Sequence, residues 1–218
     1  MSPSLGDAWF FLSATTVAEC RASGCFEAER ADLCLESIRL HTSCLGEKAS
    51  SLRVRDKVLL TGTIYTARDA AHKRLVQLLR EGKPLPFSLK DAAVYYAGPT
   101  KAPEGRPIGS CGPTTSSRMD VFAPKLLDCG LSAMIGKGER SAAVIEAIQR
   151  NGAVYLCAIG GAGALACRAI KACQVIAFPE LGCESVKRLE VEAFPLIVAV
   201  DSQGGDIFRR ESASGIML

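Results

Sequence analysis

The sequence predicts an α/β layered domain over residues 38–210, with a short helical or partly ordered extension before it (1–37) and a tail after it (211–218). Two observations lead there. Apolar β-rich runs alternate with helical stretches of about 10–15 residues, the pattern of strands and helices packed in layers. A chain of 218 residues, 48% hydrophobic and 22% charged, is long enough for one well-buried core and short for two catalytic domains.

The elements follow in order. Residues 1–37 hold Cys20, Cys25 and Cys34, show no strand alternation, and contain one helix-compatible stretch over 28–40. From Ile38 the chain becomes organised. Residues 57–65 (Lys-Val-Leu-Leu-Thr-Gly-Thr-Ile-Tyr) form a β run that leads directly into a helix over 66–80. Thr66 and Asp69 resemble a capping box with Asp in place of Glu or Gln, and Gly82 is a natural stop. Further β runs cover 93–97, 132–135, 153–159, 175–178 and 196–200. Helical stretches cover 116–129, 140–151 and 162–172, and Gly204-Gly205 makes a closing turn.

Composition excludes several partners. The 26 basic and 23 acidic residues are interspersed and sum to +3, so there is no concentrated basic face for nucleic acid. No apolar run approaches the length of a membrane span, and Ala8-Trp9-Phe10-Phe11-Leu12 lacks the positive charge that precedes a signal sequence. None of the ten cysteines has C-x-x-C spacing, and only His41 and His72 could assist them in a metal site. Cys157, inside Val-Tyr-Leu-Cys-Ala-Ile, reads as a small hydrophobe. The expectation is buried free thiols in a reducing cytoplasm.

Four segments could carry chemistry. Arg68 and His72 are four apart near the start of the helix opened by Thr66, where free N–H groups favour an anion. Arginine grips a carboxylate bidentately; the same spacing also suits a solvated helix face with an Asp69–Lys73 pair. In Gly112-Pro113-Thr114-Thr115-Ser116-Ser117-Arg118-Met119-Asp120, four hydroxyls precede a guanidinium, more than one N-cap needs. Gly136-Lys137-Gly138 places a lysine at a strand end, where α/β folds bind ligands, or in an ordinary loop. Gly161, Gly163 and Ala166 fit G-x-G-x-x-A, with Glu180 at the distance of a ribose-binding acid. No second βαβ half follows, which weakens a dinucleotide reading.

Together, Thr61-Gly62-Thr63-Ile64-Tyr65-Thr66-Ala67-Arg68-Asp69-Ala70-Ala71-His72, the 112–120 segment and Gly136-Lys137-Gly138 resemble the class I iron–sulfur fumarase and L(+)-tartrate dehydratase family. The resemblance is to its β subunit, equivalent to the C-terminal domain of the single-chain enzymes, and runs from about Ile38 to Phe208. It implies a swivelling β/β/α domain with a mixed sheet, and reversible hydration of fumarate to (S)-malate. It implies a [4Fe-4S] cluster held by three cysteines of a partner α subunit, acting as Lewis acid, and not ligated by this chain. By the same resemblance Arg68, Arg118 and Lys137 contact substrate carboxylates, Thr114 is the catalytic base, and His72 is an active-site histidine. The run from Ile159 to Ala164 is similar to the fumarase version of its loop rather than the tartrate dehydratase one. A tartrate or other dicarboxylate hydro-lyase remains the alternative, with a non-catalytic carboxylate- or dinucleotide-binding domain behind it. The expected setting is cytoplasmic, as part of a hetero-oligomer, with Arg68, Thr114, Arg118 and Lys137 converging on one open rim.

Overall fold

The computed structural model describes residues 37–158 and 163–209. Seven strands alternate with four principal helices. The strands are β1 (Ser37–His41), β2 (Lys57–Thr66), β3 (Ala93–Tyr95), β4 (Ala133–Gly136), β5 (Val154–Cys157), β6 (Ile170–Ala177) and β7 (Val186–Val200). The helices are α1 (Asp69–Arg80), α2 (Ala123–Asp128), α3 (Ala142–Asn151) and α4 (Gly163–Ala169), with short helical turns across 42–51.

The sheet is mixed and closes on itself. β2, β3, β4 and β5 run parallel as successive neighbours, each joined to the next by a crossover carrying a helix. β7 then runs antiparallel to both β5 and β2, completing a ring. β6 pairs antiparallel with the Val186–Val191 part of β7, before the part that pairs with β5, and β1 lies beside β2.

Period-two alternation sends side chains to opposite faces of each strand, and both faces are buried. Ile64, Ala93, Tyr95, Ala133, Ile135, Val154, Leu156, Leu189 and Val198 belong to one apolar cluster, shared by all five ring strands. Val94, Met134 and Tyr155, one position away, belong to a second. That second cluster is completed by Ala71, Leu75 and Val76 of α1, Leu126 and Leu127 of α2, and Val144, Ala147 and Ile148 of α3. Such i, i+3, i+4 sets give each helix one apolar stripe. The order strand–strand–helix follows directly from this double burial.

Several predicted boundaries change. The described end of the 28–40 stretch, Ser37 to Leu40, is strand rather than helix; residues 28–36 lie outside the described residues. The stretch predicted as one helix over 116–129 divides into a 3-10 turn, Ser116–Met119, and α2. Pro124, which has no N–H, occupies the first turn of α2 and starts a new helix there. The 162–172 helix is shorter because Ile170 already opens β6. β7 is 15 residues long, although only its last five read as strand.

Two points concern the framework around the site. Gly82, with φ 63, follows the C-cap of α1 in the left-handed conformation that ends helices. All seven described cysteines are free thiols, but only Cys111 is fully buried, and Cys183 is exposed. Among the described residues, no helix is long and apolar enough to cross a membrane.

Candidate functional site

The described predicted segments gather at one end of the parallel strands, where the backbone leaves the sheet but keeps the ladder going. Ala67 N–H, just past β2, donates to Tyr95 O (3.1 Å), and Tyr96 N–H, just past β3, donates to Ile135 O (2.8 Å). Thr114 N–H donates to Tyr96 O (2.7 Å), Ser116 N–H to Lys137 O (2.9 Å), and Ala158 N–H to Gly136 O (3.0 Å). Thr115 and Lys137 form a parallel bridge. The loops after β2, β3 and β4 are thus tied side by side at the carboxyl ends of the strands, where open α/β sheets bind ligands. Of the Gly-rich run after β5, residues 159–162 fall outside the described residues; the Gly163 carbonyl accepts from Cys111 N–H at 3.4 Å.

At the start of α1 the capping differs from the prediction. The N-cap is Arg68, in extended conformation, and it makes no side-chain cap. Thr66 is still strand; its hydroxyl accepts from Lys187 N–H (3.1 Å) and donates to Ser185 O (3.4 Å). The anion at this helix start is Glu184, whose Oε2 accepts from Ala70 N–H at 3.1 Å. Its Oε1 lies 3.3 Å from Arg68 Nη2. A protein carboxylate therefore occupies the favourable end of the helix dipole. Gly98 lets the Arg68 side chain lie close beside it, where a Cβ would come within 2.7 Å of Arg68 Nη1.

Arg68 and Arg118 meet at one oxygen. Asp69 Oδ2 lies 2.7 Å from Arg118 Nη2 and 3.8 Å from Arg68 Nη2. The side chain of Arg118 is 49% exposed and that of Arg68 20%. Asp69 thus pairs with these two arginines instead of joining Lys73 on a solvated face. Beneath them His72 is fully buried. Its Nδ1 lies 2.9 Å from Arg68 O, and since a carbonyl only accepts, Nδ1 carries the proton. Burial, reinforced by the nearby positive charge of Arg140, lowers the His72 pKa to about 4, against the opposing pull of the Arg68 carbonyl. The ring is neutral at physiological pH, packs edge-on against Tyr96, and has no surface with which to meet a ligand in this conformation.

Lys137 is exposed on a loop whose geometry is tightly specified. Lys137 N–H donates to Ser116 Oγ (3.1 Å), Ser116 Oγ lies 2.8 Å from Tyr155 OH, and Tyr155 OH donates to Gly138 O (3.0 Å). This closed circuit fixes the backbone on both sides of the lysine. Gly136 is needed because a Cβ would collide with Ser116 Oγ and come within 2.9 Å of the Tyr96 ring; Gly138 has φ 81. Below the circuit Arg140 is sandwiched between Tyr96 and Tyr155, its carbon 5.3 and 4.8 Å from the two ring centres. Arg140 Nε donates to Asp120 Oδ1 at 2.8 Å, and Asp120 Oδ2 accepts from Ser141 N–H at the start of α3. One buried ion pair therefore ties the turn carrying Arg118 to the loop carrying Lys137.

The structure brings Arg68, His72 and Arg118 into one constellation around Asp69, and sets Thr114 and Lys137 in loops laced to it through the backbone. The sequence offered Asp69 only as a cap or as a partner of Lys73, and it did not single out Glu184 as a partner or Ser116, Tyr155, Asp120 and Arg140 as supports. Only the excess of hydroxyls at 114–117 hinted at Ser116. Among the described residues, the buried side-chain atoms without a hydrogen-bond partner are Arg68 Nε, Asp69 Oδ2, His72 Nε2, Tyr96 OH and Arg140 Nη2. All belong to this constellation, and unsatisfied buried groups concentrated in one place mark a functional site. Two arginines around Asp69, with Thr114 and the exposed Lys137 on adjoining loops, make a cationic set suited to gripping a carboxylate. Among the described residues no three His, Cys, Asp or Glu side chains are grouped to hold a metal ion.

Comparison with known proteins gives the family. Residues 15–211 match the family described as Fumarase C-terminus, reaching further toward the N-terminus than the motif-bearing stretch. The class I anaerobic fumarate hydratase of Escherichia coli is 45% identical over 163 residues, 74% of this chain and 30% of that protein. The mitochondrial fumarate hydratase 1 of Leishmania major is 46% identical over 166 residues, 75% of this chain and again 30% of the relative. The chain thus spans under a third of the length of these two enzymes. The β subunit of L(+)-tartrate dehydratase from Escherichia coli is 34% identical over 173 residues, which cover 77% of this chain and 85% of that subunit.

Proposed function

The chain belongs to the fumarase C-terminus family, and on that premise we propose that it is the β subunit of a two-chain iron–sulfur hydro-lyase that reversibly hydrates fumarate to (S)-malate. The observation that carries this reading is the pair Arg68 and Arg118, from two separate loops, gathered around one carboxylate oxygen at the carboxyl ends of the parallel strands. Two guanidiniums and the Lys137 ammonium suit a substrate with two carboxylates, each cation gaining most when its partner is charged. The likeness to a separate β subunit over most of that subunit's length supports a two-chain arrangement.

In this reading the open rim receives the cluster-bearing α subunit, which supplies the [4Fe-4S] group and the far wall of the site. This chain's own residues bind and orient. Arg68, Arg118 and Lys137 hold the substrate carboxylates, and the Thr114 hydroxyl exchanges the proton at the carbon next to the one bearing the hydroxyl. His72 acts from below by fixing the carbonyl of Arg68. The setting we assign is cytoplasmic.

The test is to co-purify the full chain with its α partner under anaerobic conditions and to assay fumarate, (S)-malate and L(+)-tartrate. Interconversion of fumarate and (S)-malate supports the reading. Turnover of L(+)-tartrate in their place supports the second reading, a tartrate dehydratase β subunit, which the 85% coverage of that relative favours. An assembled, cluster-loaded complex that acts on none of them refutes both.

A further inference from the structure

We infer that Asp69 is the positioning residue of Arg118: it holds a guanidinium that would otherwise sample many rotamers in the one place where it can receive a substrate carboxylate. The inference rests on the hydro-lyase reading above and deepens it by separating the tasks of the two arginines.

Arg68 does not depend on Asp69. It is held by Glu184 at 3.3 Å, and Glu184 is itself fixed by the Ala70 N–H; the side chain also passes close against Gly98. Arg118 is placed differently. It sits in a four-residue 3-10 turn, its side chain is about half exposed, and its one ion-pair partner among the described residues is Asp69. Arginine loses considerable rotamer entropy when it is immobilised. A cation that must be immobilised by substrate binds less tightly than one already in place.

Asp69 is suited to supply that order. It is the first residue of α1, so its backbone is fixed by the helix, and its Oδ2 is buried. The 2.7 Å approach involves a single nitrogen of Arg118, Nη2. It is a charge contact rather than an aligned hydrogen bond, and a single contact at Nη2, which carries two N–H donors, leaves one complete two-nitrogen fork of the guanidinium for a bidentate grip on another carboxylate. Because Oδ2 is buried, an incoming carboxylate meets the outer edge of Arg118 and does not replace Asp69. Two rival roles make different predictions. A competing occupant would weaken substrate binding, and a simple tie between the 3-10 turn and α1 would act whether or not Arg118 is present.

The experiment compares wild type, Asp69→Ala, Asp69→Asn, Arg118→Ala and the Asp69→Ala/Arg118→Ala double variant as full chains assembled with the α partner. Asp69→Ala should raise KM for the dicarboxylate about threefold to fivefold, the range of a partly exposed ion pair, with kcat within about twofold. Asp69→Asn should fall between, and Asp69→Ala should add nothing when Arg118 is already alanine. A lower KM in Asp69→Ala, a fall in kcat at constant KM, or the same increment in the Arg118→Ala background would each overturn the inference. A wild-type complex without turnover counts against the hydro-lyase reading, and the positioning role is then read directly. In the full chain alone, nitrogen NMR should show slowed guanidinium rotation at Arg118 that is lost in Asp69→Ala. Rotation equally fast in both proteins would refute it.

Discussion

Replacing Arg140 with Met removes a buried cation while keeping most of the side-chain volume. Arg140 has no exposed side-chain surface and its partner Asp120 is 11% exposed. The substitution strands the Asp120 charge, although its second oxygen still receives the Ser141 N–H. Breaking one side of a buried pair costs about 3–5 kcal/mol. The two tyrosine faces add to the loss at about 1 kcal/mol each. Against this, Arg140 Nη2 has no hydrogen-bond partner, so its removal recovers desolvation already spent. The low end of the range, about 3 kcal/mol, is therefore expected. For a chain of this size that corresponds to a melting temperature lower by about 6–12 °C. Chemical denaturation of the full chain and a thermal melt followed by circular dichroism measure it. Asp120→Asn/Arg140→Met, which removes both charges, should recover at least half of the loss. An Arg140→Met protein within about 0.5 kcal/mol of wild type, or a double variant worse than the single one, would show that this pair does not tie the two loops together.

Other outcomes follow from the same geometry. His72, with its pKa lowered to about 4 by burial, is neutral in the folded chain while the unfolded chain takes up a proton below about pH 6.5. Stability from this source is complete above pH 6.5 and declines as pH falls toward 4, by about 2 kcal/mol at pH 5; denaturant titrations across that window should be flatter for His72→Gln. Arg118→Ala should cost the assembled enzyme at least about tenfold in kcat/KM, since hydrogen bonds to charged groups contribute about 1.5–3 kcal/mol. Arg118→Lys should restore only part, because an ammonium lacks the guanidinium fork, and full activity in the alanine variant would remove Arg118 from the site. Thr114→Ala should lower kcat by roughly 10²–10⁴ with a smaller change in KM if its hydroxyl moves the proton. A larger kcat loss in Thr115→Ala would move that role to the neighbouring hydroxyl.

The parallel half of the fold was legible because β3, β4 and β5 are short, apolar on both faces and separated by amphipathic helices. β7 was not. Lys187, Arg188, Glu190 and Glu192 interrupt its pattern, and Pro195 reads as a breaker. Lys187 is nevertheless buried, because its ammonium is met by the carbonyls of Gly182, Cys183 and Ser185 and by the Ser185 hydroxyl. No local pattern announces that environment. The site divides in the same way. Arg68, Thr114, Arg118 and Lys137 lie in segments whose glycines and hydroxyls stand out locally. Glu184 reaches the start of α1 from 114 positions away, so only the folded chain reveals it. The capping box at Thr66 failed because a long-range carboxylate, joined to the first turn through Ala70, replaced the local one.

The ring of strands closes late. β7 is the last strand among the described residues, and it joins β2 across a wide gap in the chain: Ala193 N–H reaches Thr61 Oγ1, 132 positions earlier. At 5–20 residues per second, a ribosome needs on the order of ten seconds to make the intervening segment. Throughout that interval β2, with its core residues Val58, Leu60 and Ile64, lacks the antiparallel strand that pairs along its edge. Nascent chains therefore carry an unpaired strand edge over that time, and contacts this distant in sequence form slowly afterward. A chain that ends before residue 186 should behave as an aggregation-prone client of the cell's chaperones, whereas the same sequence carried through residue 200 has both flanks of β7 satisfied and should leave them.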